Sequence, residues 1–358
     1  MRAEQLISAH RGATENQVNR FEKIHLEPDT DWNPDNDNGG RPQGPRTQFF
    51  KDHSQTVIAR NDSPDVGFTA SLNPYRGCEH GCIYCYARPT HEFLGFSAGL
   101  DFESKIMVKE DAPDLLRGEL MSVKWQPRVI FMSGVTDCYQ PVEAKLKLTR
   151  RCLEVLAEFR NPVFIITKNR LVTRDIDLLS ELARHNAAEV WLSITTLDAE
   201  LRKVMEPRTS PPSARLAAIR ELAQAGIPVG VNVAPVIPGL TDHEMPAILQ
   251  AAADAGATAA GYTLVRLPYG VAPLFEKWLQ SHFPDRKEKV LNRLRSLRGG
   301  KLNESQWGSR MHGEGIFAGQ ISRLFEVARR QAGISDNGRA LAIAAFRRPL
   351  GAQLPLFS

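Results

Sequence analysis

Short apolar, β-branched runs recur six times along this 358-residue chain, at residues 67–72, 129–132, 163–167, 190–194, 229–236 and 260–267. Near-continuous apolarity fits strands covered on both faces, the habit of parallel sheets. Helical patterns lie between them: Leu148, Cys152, Val155, Leu156 and Phe159 share one face, and Ile176, Leu179, Leu182 and Ala183 another. Strand and helix in alternation predict a parallel βα repeat. Eight such units close a full barrel, so six predict an α/β fold built as a partial (β/α)6 barrel of the TIM type, open on one side. Its chemistry should gather at the carboxyl ends of the strands.

The first of those ends carries three cysteines. Cys78, Cys82 and Cys85 stand in the run Asn73-Pro74-Tyr75-Arg76-Gly77-Cys78-Glu79-His80-Gly81-Cys82-Ile83-Tyr84-Cys85-Tyr86. A cluster that only passes electrons is normally held by four cysteines. Three ligands on a four-iron cube leave one iron able to bind an outside molecule, as an open position marks a catalytic zinc. Two other readings stand beside this one. Positions i, i+4 and i+7 also make one apolar helix face, but Pro74, Gly77, Gly81 and Pro89 break that period. A zinc site would need His80, His91 or Cys138 as fourth ligand, and zinc ligands usually come as two separated pairs.

The chain is long enough for one large domain with extensions, and 42% hydrophobic with 24% charged residues reads as soluble and globular. No apolar stretch is long enough for a membrane span, and the first residues lack a signal-peptide core. Five cysteines, an odd number, predict a reducing, cytoplasmic setting. Residues 1–65 read as a polar N-terminal extension, partly disordered, with a turn-rich run at 29–46. The core is expected over 66–285 and a basic helical region over 286–358. Residues 286–348 hold 14 Lys and Arg against 5 Asp and Glu, which leaves 31 basic and 36 acidic residues elsewhere. Such asymmetry points to a nucleic acid or another polyanion, or to a solvated helix face built on Leu291, Leu294 and Leu297.

The cysteine run, with Tyr84 before the third cysteine, resembles the signature of the radical S-adenosylmethionine (SAM) superfamily. More narrowly, the chain resembles the branch related to spore photoproduct lyase, over roughly residues 66–283. The resemblance implies a partial barrel of the radical SAM type, a 4Fe–4S cluster, S-adenosyl-L-methionine as cofactor and an electron donor of the flavodoxin or ferredoxin type. It also implies reductive cleavage of the cofactor to methionine and a 5′-deoxyadenosyl radical, with the cofactor doing the chemistry and the protein orienting it.

On that pattern Thr136 and Asp137 suit the methionine ammonium, although the pair also suits a plain turn or helix N-cap. Lys168, at the end of an apolar strand, would meet the methionine carboxylate or be merely solvated. Ser193 would touch the methionyl or ribose part, and Ala234, in a strand broken by Pro235, the adenine edge. Tyr84 would stack on adenine or pack, and Tyr86 would face the substrate cavity. The segment Glu206-Pro207-Arg208-Thr209-Ser210 also fits the pattern; Arg215 would orient it or lie on the surface. Cys152 reads as core. Spore photoproduct lyase has a hydrogen-donating cysteine just before its Ser-Asp pair, where this chain has Gly134-Val135; Cys138 follows the pair instead. Cys138, Tyr86 and Tyr139 remain the hydrogen-donor candidates. The substrate expected by analogy is a nucleic acid or a nucleic-acid lesion. Radical modification of a protein or metabolite, a zinc-stabilised nucleic-acid-binding protein and a redox-sensing cluster protein are the alternatives.

Overall fold

The computed structural model describes residues 11–21, 46–335, 338 and 340–349. All but the last residue of the turn-rich run at 29–46 lies outside them. Ten strands are present among the described residues: β1 Gln48–Lys51, β2 Ile58–Arg60, β3 Ala70–Leu72, β4 Tyr75–Arg76, β5 Lys105–Val108, β6 Ile130–Met132, β7 Val163–Thr167, β8 Ala188–Ser193, β9 Val229–Val236 and β10 Ala259–Leu264.

The large sheet runs β10-β9-β8-β7-β6-β3-β2. Every neighbour pair from β3 to β10 is parallel, and β2 joins β3 antiparallel, Ile58 opposite Leu72. The six parallel strands are the six apolar runs of the sequence, and the sheet does not close on itself. Leu72, Ile130, Val163, Val190 and Val231 are fully buried with Leu153, Leu179, Ile219 and Ile248 of the covering helices. Two-sided burial is why the runs read as almost unbroken apolar sequence. Cys152 sits in that core at 0% exposure, on the helix Leu148–Phe159.

A smaller sheet, β1-β5-β4, stands beside the first strand end. It pairs β1 parallel and β4 antiparallel with β5. The segment 11–21 packs on the same side: both backbone N–H groups of Gly12 and Ala13 donate to Glu103, at 2.9 and 2.7 Å.

The C-terminal region covers the free edge of β10. Leu264 N–H donates to Met311 O at 2.9 Å, and Ala260 N–H to Ser335 O at 3.2 Å. From there the chain reaches across the open side of the sheet. Gly308 N–H donates to Asp65 at 2.6 Å, while the Arg310 guanidinium pairs with Asp65 and bonds Ser63. An unpaired sheet edge is a template for unwanted pairing, and here it is blunted by these segments. Several basic residues of this region are structural rather than solvated. Arg298 is buried and donates to Arg310 O and Val265 O, and Arg293 pairs with Asp242. No described helix is long and apolar enough to cross a membrane.

Candidate active site

The cysteine loop leaves β4 and turns twice through glycine. Gly77 and Gly81 adopt φ of +78° and +66°, a region that penalises any side chain. A Cβ on Gly81 would also lie 2.5 Å from a Glu103 oxygen. Beneath the loop, Arg88 and Glu103 form an ion pair with both side chains at 0% exposure. Arg88 further donates to the carbonyls of Cys82, Gly81, Ala98 and Gly99 at 2.9–3.2 Å. Buried charge is costly unless paired and saturated with hydrogen bonds, and this pair meets both conditions. Gln140 clamps the other side, accepting from Glu79 N–H at 2.9 Å and donating to Gly77 O at 3.2 Å.

All three thiols line one cavity of about 610 Å3 at the carboxyl ends of the parallel strands. Among the described residues no three His, Cys, Asp or Glu side chains converge on a point suited to one metal ion. Three thiols opening into one cavity match the donor chemistry of an iron–sulfur cube, which binds through thiolate sulfur. Burial pushes each thiol above its ordinary range, reinforced by Asp137 at Cys78 and by Glu206 at Cys82. A bound iron would reverse that balance, because a coordinating sulfur gives up its proton outright.

The same cavity takes in Tyr84, Tyr86, Thr136, Asp137, Lys168, Ser193 and Ala234. Most are already engaged. Asp137 accepts from Thr167 Oγ1 at 2.7 Å and Lys168 N–H at 2.8 Å, with His80 Nδ1 at 3.3 Å. Burial alone would raise this carboxyl; the His80 imidazole and those donors hold it at about 2. Thr136 Oγ1 donates to Tyr75 O at 2.9 Å, so both members of the pair fix the loop after β6. The Lys168 ammonium has no hydrogen bond or ion pair among the described residues and stands 6.0 Å from the Tyr84 ring centroid. It is a cation facing the cavity.

Glu206 organises the far wall. It is fully buried and accepts from Tyr84 Oη and from Thr195 Oγ1, the latter at 2.6 Å, and it pairs with Arg215. Burial alone would raise its carboxyl, but Arg215 and then Lys168 hold it at about 2. Arg215 is 1% exposed and donates to Ser193 O and Ser210 O, both at 2.8 Å. It therefore orients the 206–210 segment, and the surface reading fails. Thr195 reaches on to Ala234 O at 2.9 Å. Opposite Pro235 the β9–β10 register shifts between Tyr262 and Leu264, the irregularity that the proline signalled.

Cys138 is not part of this assembly. It is 0% exposed within the main core, its N–H bonded to Ser133 Oγ at 3.0 Å, and it does not line the cavity. Tyr139 is buried too, its hydroxyl on Asp175 at 3.1 Å. Tyr86 is 45% exposed, lines the cavity, and donates to Gly134 O at 2.7 Å. Sequence reasoning did not reach Arg88, Glu103, Gln140 or Arg266; their ordinary sequence neighbourhoods give no motif.

The sequence matches the family described as the Radical SAM superfamily over residues 72–252. It is 36% identical to an uncharacterised protein of Mycobacterium tuberculosis over 232 residues, 64% of this chain and 67% of that one. Among solved structures, spore photoproduct lyase complexed with dinucleoside spore photoproduct superposes with a TM-score of 0.56, covering 80% of each chain at 17% identity. A mutant of that enzyme with bound AdoMet and the same dinucleoside gives 0.56 over 80% of each chain at 19% identity. At such identity the likeness is one of fold.

Proposed function

We propose, since this chain belongs to the radical SAM superfamily, that it holds one 4Fe–4S cluster on Cys78, Cys82 and Cys85 and reductively cleaves S-adenosylmethionine there. The observation that carries this reading is the shared cavity: three thiols, an unpaired lysine and two strand ends open into one space. When bound, the cluster and cofactor supply an electron and a sulfonium whose breakage yields methionine and a 5′-deoxyadenosyl radical.

The chain's own residues bind and orient. Lys168 offers a charge-assisted hydrogen bond to a carboxylate. Ser193 and Ala234, tied together through Arg215, Glu206 and Thr195, present fixed polar edges for the nucleoside part. Asp137 serves chiefly as a brace for the loop that carries Thr136. Tyr86 faces the space left for a substrate. The electron comes from a flavodoxin or ferredoxin type of donor.

The test is anaerobic reconstitution, reduction, and measurement of 5′-deoxyadenosine. Wild type is expected to form it slowly even without substrate. Lys168→Ala should weaken cofactor binding about tenfold or more, as a lost hydrogen bond to a charged group does, with iron content intact. Unchanged affinity would remove Lys168 from the site.

The substrate class we propose is a nucleic acid or a nucleic-acid lesion; a protein or metabolite is the second reading. Support comes from the basic balance of residues 286–348. Because Arg298 is buried, the side chains available for phosphate are exposed ones such as Arg286, Lys289 and Lys301. Reversing these three to glutamate should weaken binding of single-stranded DNA and flatten its salt dependence, because each phosphate contact releases counterions. Equal salt-titrated binding by wild type and the reversal would leave only a solvated face.

A further inference from the structure

We infer that Arg266 anchors an oxyanion of the substrate, a phosphate or a carboxylate carried beside a flat unsaturated ring. The inference rests on the reading of this cavity as the active site. Arg266 follows β10, where Leu264, Val265 and Leu267 are each at 1% exposure while Arg266 lines the cavity. Its backbone surroundings are pinned on every side: Leu264 N–H to Met311 O at 2.9 Å, Leu267 N–H to Leu302 O at 3.3 Å, and Val265 O to Arg298 at 2.8 Å. The side chain is thus delivered to one place by a rigid frame.

The guanidinium has no hydrogen bond or ion pair among the described residues. It lies 4.8 Å from the centroid of the Tyr86 ring, and the Tyr86 hydroxyl is itself tied to Gly134 O. Arginine taken out of water normally spends its five donors on carboxylates or carbonyls, as the buried Arg88, Arg215 and Arg298 do here. The neighbouring Arg310 is committed to Asp65 and Ser63. Arg266 alone of these offers its fork to the cavity, and that fork matches two oxygens of a carboxylate or phosphate. The cation–π contact with Tyr86 steadies the guanidinium without using its donors.

Flat partners are also present. Phe68 and Phe131 stack at 4.1 Å with an interplanar angle of 9°, and both line the same cavity. An aromatic wall beside a free guanidinium is the pairing that grips a ring bearing an anion. Lys168 already supplies a cation on the cysteine side, so Arg266 is available to the substrate.

The test uses phenyl phosphate, benzoate and neutral benzyl alcohol, titrated by calorimetry against the reconstituted protein with S-adenosylmethionine present. Wild type should bind both anions more tightly than benzyl alcohol. Arg266→Ala should lose about tenfold to a hundredfold in anion affinity. It should keep its iron, its cofactor affinity, its melting temperature within a few degrees and its weak hold on benzyl alcohol. Arg266→Lys, which keeps the charge without the fork, should fall between. Arg184→Ala, an exposed arginine paired with Glu181, should change nothing. Tighter phenyl phosphate assigns a phosphate; tighter benzoate assigns a carboxylate. Equal anion affinity in wild type and Arg266→Ala overturns the inference, as does a selective loss of cofactor affinity in that variant. Absence of iron or of 5′-deoxyadenosine in wild type would instead count against the radical reading.

Discussion

Alanine in place of Cys78, Cys82 or Cys85 is expected to remove nearly all bound iron and sulfide, and with them all 5′-deoxyadenosine formation. Three cysteines hold three of the four irons, one each, so none is spare. No other cysteine can substitute. Cys138 and Cys152 are each at 0% exposure in the apolar core, with neither lining the cavity. Cys152→Ala should therefore keep full iron, and Cys138→Ala likewise. Iron and acid-labile sulfide analysis of the five variants reads the result directly. Full iron in any of the first three would remove the basis for the proposed chemistry.

Glu103→Ala should destabilise the protein by about 3–5 kcal/mol, the usual cost of stranding one member of a buried ion pair. The reason is local. Arg88 would remain wholly buried with its charge uncompensated, and Gly12 and Ala13 would lose their acceptor. Urea denaturation should show a midpoint well below that of wild type at a similar slope. Because Arg88 also holds the carbonyls of Gly81 and Cys82, iron loading should fall in parallel. Replacing both partners together, as Arg88→Met with Glu103→Leu, should recover part of the loss, since an apolar pair leaves no orphan charge. A drop under about 1 kcal/mol in the single variant would show that the pair does not hold the loop.

The barrel was legible because its strands bury one face under helices and largely cover the other with apolar side chains, which writes itself as apolar runs such as 163–167 and 229–236. The small sheet was not. All four residues of β1 are exposed, so no hydrophobic alternation marks them. Motif residues of the cavity could be named because they follow strand ends in a fixed order. Their support was legible only in part. Arg215 stood between an orienting and a surface role until the fold closes it against Glu206, and Arg88 and Glu103 are charged residues that composition assigns to the surface. Cys138 illustrates the opposite failure: proximity in sequence to Asp137 suggested a reactive thiol, whereas the turn directs it into the core.

The contact of Arg310 with Asp65 joins residues 245 apart in sequence. Closing so long a loop is entropically expensive until everything between is ordered. The cysteine wall, by contrast, is centred on Arg88 and Glu103, only 15 residues apart, and its longer ties to Gln140 and Gly12 span 61 and 91 residues. The two walls of one cavity thus differ in durability. The rim where substrate would sit is therefore expected to open before the floor that would carry iron, and faster hydrogen exchange at the Gly308 amide than at those of Cys78 and Cys85 would show it.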